Sequence, residues 1–342
     1  MSRYQSFEEL KIKSKEFVQS SKERGAYNGL RKLLTELYPD KAHFIYELLQ
    51  NAEDKEASSV NFELYNDRLV FTHNGKKRDF ILDDIDSITN IGISTKIDDP
   101  TSIGKFGVGF KAVYSYTNTP EIHSGKYDFK IVDMLVPEDE CVPKTASVGK
   151  TQFVFPFDHD TKTPKQAVKE ITEGLLALNE NSILFLRNIH QITFRLPDGK
   201  VGGIKLEDKD DVLKKIIWVN ALTKEKGKTF WYKFSKPCVI ESNNENKNYN
   251  VDIAYKLKKV EIGGEKQYKI DADLKGNVCI FFPAVKENSH LRFHINAPFA
   301  STVARDSVRD CSENKQLIRE IANLCVCSLY FLKEKHCIDL GL

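Results

Sequence analysis

Apolar residues recur at helical spacing from the start of the chain. Phe7, Leu10, Phe17, Leu30, Leu33, Leu34 and Leu37 stand among charged neighbours and predict helix over residues 7–38. A second helix is predicted after Pro39-Asp40, carrying FIYELLQNAED. SSVNFELYNDRLVFTHNG then shortens into two strand-like runs meeting at Asn66-Asp67. FILDDIDSITN, residues 80–90, returns to helical spacing. Strands are predicted at Tyr127–Val132 and Thr151–Phe157, a helix over 165–179, and a strand in HQITFRL.

The texture changes after Pro197-Asp198-Gly199. The chain becomes strand-rich, with polar loops predicted at 224–228 (KEKGK) and 241–250 (ESNNENKNYN). NVCIFFPAV and LRFHINAPF read as strands, and ENKQLIREIANLCVCSLYFLKEK as a closing helix. The division this predicts is a first domain at 1–195 and a second at 196–342.

Composition narrows the function classes. A length of 342 residues, 41% apolar and 29% charged, is enough for two ordinary globular cores. The net charge of +2 lacks the basic footprint of a dedicated nucleic-acid binder, so direct nucleic-acid binding has no support from charge. No apolar run approaches the roughly 20 residues of a membrane span. The opening MSRYQSFEELKIKSKEF has no apolar secretory stretch. Seven cysteines, odd in number and mostly in apolar segments, predict free thiols, a reducing compartment and a cytoplasmic location. Cys325 and Cys327 point to different sides of their predicted helix and read as core thiols. His290 and His294 lack a third nearby metal ligand and read as surface and core residues.

Two stretches carry chemistry. In ELLQNAED, Glu47, Asn51 and Asp54 fall at i, i+4 and i+7, on one helix face. An Asn oxygen suits Mg²⁺, and a carboxylate one turn away can take a proton from water. Taken alone, the octapeptide also fits a solvated polar face. In IGKFGVGFKAV, Gly104, Gly107 and Gly109 are spaced GxxGxG, which is neither a dinucleotide fingerprint nor a Walker loop. The segment alone fits either a phosphate nest leading into a helix near Gly109 or a glycine turn.

In order, these words resemble the GHKL ATPase superfamily of gyrase, ninety-kilodalton heat-shock chaperones, histidine kinases and MutL. ELLQNAED, FTHNGKKRDF, IGISTK, IGKFGVGFKAVYSYTNTPEIHSG and ILFLRNI together are similar to the sacsin-type ATP-binding domain. The resemblance covers roughly the first 195 residues. It implies an α+β fold: a Bergerat-type sandwich of mixed sheet with helices on one face, then a smaller β/α transducer-like domain. It implies a Mg²⁺-dependent ATPase, slowly hydrolysing ATP as a conformational switch in a chaperone-like or defence-type machine. An ATP-dependent homodimer and a protein client are its implied partners.

Residue by residue, the resemblance makes Glu47 the general base, Asn51 the Mg²⁺ ligand and Asp54 an acidic neighbour of the nucleotide. Gly104, Lys105, Phe106, Gly107, Val108, Gly109 and Phe110 match the phosphate loop. Ser94, Thr95 and Lys96 lie in the implied lid and are expected phosphate contacts. Thr151 matches a threonine near adenine, and Arg305, ahead of Arg309 and Lys286, is the expected transducer cation. One departure stands out: His73-Asn74-Gly75 occupies the place of the family's Asp-x-Gly, so the adenine amino group would meet His73 or the Asn74 carbonyl. Asn-Gly is equally a hairpin signal. That departure supports the alternative of a nucleotide-binding scaffold or interaction module without turnover.

Overall fold

Phe62 and Phe71 face each other across two neighbouring strands, their ring centroids 4.7 Å apart. These strands, β1 (Ser59–Leu64) and β2 (Arg68–His73), form the antiparallel hairpin that the alternating pattern predicts. Phe153 continues the aromatic row, 6.0 Å from Phe71. Fully burying such side chains contributes about 1.5–3 kcal/mol each.

The computed structural model of the chain describes residues 3–36, 44–75, 78–90, 109–140, 142–144, 149–242, 245–262, 264–302 and 306–338. Its architecture is mixed α+β, with parallel and antiparallel strand pairs in the sheet. It divides into two compact units. The first comprises Met1–Leu178, Arg187–Gly203 and Val219–Glu225; the second comprises Asn179–Leu186, Ile204–Trp218 and Lys226–Leu342.

In the first unit, β3 (Glu121–Ser124), β4 (Tyr127–Val132), β5 (Val136–Glu138), β6 (Thr151–Pro156) and β7 (Gln191–Arg195) join the hairpin in the order β7-β1-β2-β6-β3-β4-β5. Only β7 on β1 is parallel among these pairs. Its helices are α1 (Phe7–Glu23), α2 (Ala26–Glu36), α3 (Phe44–Asp54), α4 (Leu82–Thr89) and α5 (Pro164–Leu176). The helix predicted over 7–38 is broken after Arg24, because Gly25 adopts φ 71, a left-handed turn favoured by glycine. Helix α3 buries Phe44, Ile45, Leu48, Leu49 and Ala52. It ends through Glu56 at φ 56, with the Ala57 N–H returning to the Ala52 carbonyl at 3.0 Å.

The second unit contains β8 (Val201–Asp208) from Ile204 onward, β9 (Leu213–Val219) up to Trp218, β10 (Lys226–Ser242), β11 (Glu245–Ile262) and β12 (Glu265–Ile270). Short strands β13 (Val278–Ile280), β14 (Phe282–Pro283) and β15 (His294–Asn296) complete the order β14-β13-β15-β11-β10-β9-β8, with β12 on β11. Helix α6 (Ser312–Glu334) lays Leu317, Ile321, Leu324 and Leu332 on Tyr232, Ile253 and Tyr255. In the polar stretch 241–250 the described residues, 241–242 and 245–250, are strand rather than loop: Glu241 pairs with Asn246 and Ser242 with Glu245. Glu241, Asn246 and Asn248 are exposed on this ribbon, where strand formation rests on backbone pairing rather than on apolar alternation. Among the described residues, no helix is long and apolar enough to cross a membrane.

Candidate functional site

Helix α3 presents Glu47 buried at 4% exposure, with Asn51 and Asp54 half-buried on the same side. Facing Glu47 is Gly109, the first residue of a 3₁₀ segment, Gly109–Ser115, that packs on α3. A β-carbon on Gly109 would come 2.7 Å from Glu47 Cδ and closer still to Oε2. Only glycine lets this backbone approach the carboxylate so nearly. Among the described residues, the helix expected from Gly109 is a seven-residue 3₁₀ segment. Phe110 is buried, its ring 5.9 Å from Phe153 and 6.3 Å from Phe155, which fixes the segment on the sheet.

Three adjacent strands then place His73, Thr151 and Ser124 in one row, since His73 opposes Thr151 and Ser124 opposes Thr151. All three are buried. Thr151 Oγ1 and Ser124 Oγ share a hydrogen bond of 2.7 Å, and Ser124 Oγ also accepts the Phe80 N–H at 3.0 Å. His73 Nδ1 accepts the Gly75 N–H at 3.1 Å, which puts the neutral ring's proton on Nε2. Asn74 Oδ1 accepts the Ser58 and Ser59 N–H groups at 3.0 and 2.9 Å, and its Nδ2 donates to Ser58 Oγ at 2.9 Å. Both lone pairs of that carbonyl are thus committed to joining the end of β2 to the start of β1. His73 Nδ1 and Asn74 Oδ1, the acceptors considered for an adenine amino group, already hold backbone donors.

Residues 69–166 match the family described as Sacsin domain. Over that stretch the chain is similar to the Sacsin domain. Over 330 residues it is 26% identical to Protein NO VEIN of Arabidopsis thaliana, covering 88% of this chain and 12% of that protein. Over 177 residues it is 27% identical to Sacsin of Homo sapiens, covering 46% of this chain and 4% of that protein. The chain therefore spans a small fraction of the length of either relative. A crystal structure of the N-terminal domain of a DNA repair protein aligns with TM-score 0.49 and 12% identity, over 89% of this chain and 98% of that one.

The sacsin-like match takes in His73, Asn74, Gly75, Gly109, Phe110 and Thr151, while Glu47, Asn51 and Asp54 precede it. Ser94, Thr95, Lys96, Gly104, Lys105, Phe106, Gly107, Val108 and Arg305 lie outside the described residues. In the second unit, Arg309 is exposed, and Lys286 is ion-paired with Asp306 at 2.5 Å. His294 is buried and stacked on Trp231 at 5.2 Å, whereas His290 is exposed, at φ 55.

Several supporting residues escaped the sequence reading. Buried Glu53 accepts the N–H groups of Arg187, Asn188 and Ile189 at 2.8, 2.9 and 3.0 Å, fixing these three residues to α3. Asp84 caps α4 through the Ile81 N–H at 2.9 Å, takes Lys55 at 2.9 Å and bonds Arg78. Burial alone would raise its pKa, but Arg78 and Lys55 hold the carboxyl below its ordinary range. Glu53 sits within the quoted motif ELLQNAED and Ser124 within EIHSG, yet each acts on a distant segment.

Proposed function

We propose that the first unit binds ATP with Mg²⁺ and hydrolyses it slowly, as a conformational switch in a larger machine. The observation that carries this reading is the buried Glu47 carboxylate held against Gly109, the last glycine of GxxGxG. Glu47 would orient and deprotonate the attacking water. Asn51, one turn on, offers a hard amide oxygen to Mg²⁺, which would supply neutralising charge at the phosphates. The glycine at 109 lets main chain come close to the reacting end of the nucleotide. Thr151 and Ser124 supply hydroxyls toward the base, since the His73 and Asn74 acceptors are already in use.

By the sacsin-type resemblance, Gly104 to Val108 would hold the terminal phosphates, Ser94, Thr95 and Lys96 would add contacts, and Arg305 would be the transducer cation. ATP-dependent pairing of two copies and action on a protein client belong to the same proposal. The engaged state of His73 and Asn74 favours a second reading, a nucleotide-binding scaffold without turnover. Calorimetry of ATP with and without Mg²⁺ on wild type and Asn51→Ala tests the binding claim. The account expects Mg²⁺-dependent affinity in wild type that Asn51→Ala loses by at least tenfold; equal affinity in both removes Asn51 from the site.

A further inference from the structure

Lys111 is 1% exposed, the most deeply buried lysine of the chain among the described residues. It lies two residues after Gly109, within the 3₁₀ segment. Its Nζ donates to the Ile88 carbonyl at 2.9 Å, in the last turn of α4, and to the Met134 carbonyl at 2.8 Å, just before β5. Among the described residues its acceptors are these two carbonyls, with no carboxylate. Buried ammonium groups are ordinarily paired. Here the amine ties three separated pieces of chain together at the point where the segment reaches Glu47.

We propose that Lys111 is a proton-sensitive positioning residue: its seat between the Ile88 and Met134 carbonyls pins the 3₁₀ segment so that Gly109 stays against Glu47. This deepens the proposed ATP site, naming a regulation of it, and rests on that reading for its functional consequence.

Titratable groups stand on each of the surrounding elements, and Tyr114 shares the Met134 carbonyl with Lys111. On the same segment, the Tyr114 ring lies 5.6 Å from Nζ and its hydroxyl donates to Met134 O at 3.2 Å. On α2, Tyr27 donates to Asp133 Oδ1 at 3.2 Å, and Asp133 pairs with Lys22 at 2.9 Å. On α4, Asp86 accepts from Asn90 at 3.1 Å, and Asp84 is bonded by Lys55 and Arg78. On β5, Glu138 is paired with Lys11 and Lys15. On α3, Glu47 faces Gly109. Among the described residues burial is what acts on the amine, and it pushes its pKa down from 10.5 to about 7.

The sign follows from linkage. The packed arrangement holds Lys111 with a lowered pKa, whereas an arrangement that hydrates the amine restores the ordinary value. Between those two values the open arrangement binds more protons, so raising pH favours the packed one. From pH 6.5 to 8.5, a shift of this size multiplies the packed-to-open ratio about twentyfold.

The test uses the full chain. Lysine side-chain NMR of wild type, assigned with K111M, should show one amine titrating near neutral pH. Hydrogen exchange over residues 109–115, corrected for intrinsic rates, should slow by up to about twentyfold between pH 6.5 and 8.5 in wild type and lose this response in K111M. MgATP affinity should rise over the same range in wild type relative to K111M. A Lys111 midpoint near 10, or the same exchange response in K111M, overturns the pin. If MgATP binds with identical pH dependence in both proteins, the positioning role is overturned. If no nucleotide binds at any pH while titration and exchange behave as expected, the ATP reading falls and the pin stands. Should K111M not fold, the wild-type titration and exchange still decide.

Discussion

The Glu47 carboxylate occupies the space that a side chain at position 109 would need: a β-carbon on Gly109 would lie 2.7 Å from Glu47 Cδ. The clash is with the far end of a flexible side chain. Gly109→Ala is therefore expected to rotate Glu47 aside, costing about 1 kcal/mol in denaturant unfolding. The same change should lower phosphate release by at least tenfold. In the double variant with Glu47→Ala the stability cost should vanish, because nothing is left to collide.

Glu53 holds three consecutive main-chain N–H groups from across the fold. Glu53→Gln presents an amide nitrogen to donors that need an acceptor, and should destabilise the chain by about 2 kcal/mol in urea unfolding. Full stability in that variant would show that the clamp contributes little.

Asn74 is expected to matter to the hairpin. Asn74→Ala leaves the Ser58 and Ser59 N–H groups without their acceptor and should cost about 1–2 kcal/mol in unfolding experiments. If nucleotide binding falls while stability stays level, the side chain contacts ligand instead of bracing β1 and β2.

Acid should release α1. Burial would raise the Glu138 pKa, but pairing with Lys11 and Lys15 together outweighs it and brings it down to about 2. A depressed carboxylate contributes stability that is complete above its unfolded value of about 4.3 and lost as pH falls through the folded one. Hydrogen exchange of α1 should accelerate between about pH 4 and 2 in wild type. Glu138→Gln should exchange faster at neutral pH and lose that acid step.

How far the sequence carried depends on where the determinants of each feature lie. FIYELLQNAED announced α3 because its apolar residues and Glu47, Asn51 and Asp54 sort onto separate faces within one helix. Gly25 hid a break, since its φ of 71 has no signature beyond the residue itself. The strand ends at 241–242 and 245–250 were illegible because a run of Asn, Glu and Lys looks like a loop until the partner strand is known. At the site, Gly109 stood out as a glycine, but only its distance from Glu47 shows why. Ser124, Glu53 and Lys111 could not be singled out, because their partners lie 44, up to 136 and 23 residues away.

The most direct test of the account is MgATP binding and phosphate release measured side by side on wild type and Glu47→Ala. The account predicts that both proteins bind MgATP, and that turnover in Glu47→Ala falls by about 10²-fold or more, as expected on losing a general base. Equal turnover in the two proteins, or no MgATP binding by wild type, would contradict it.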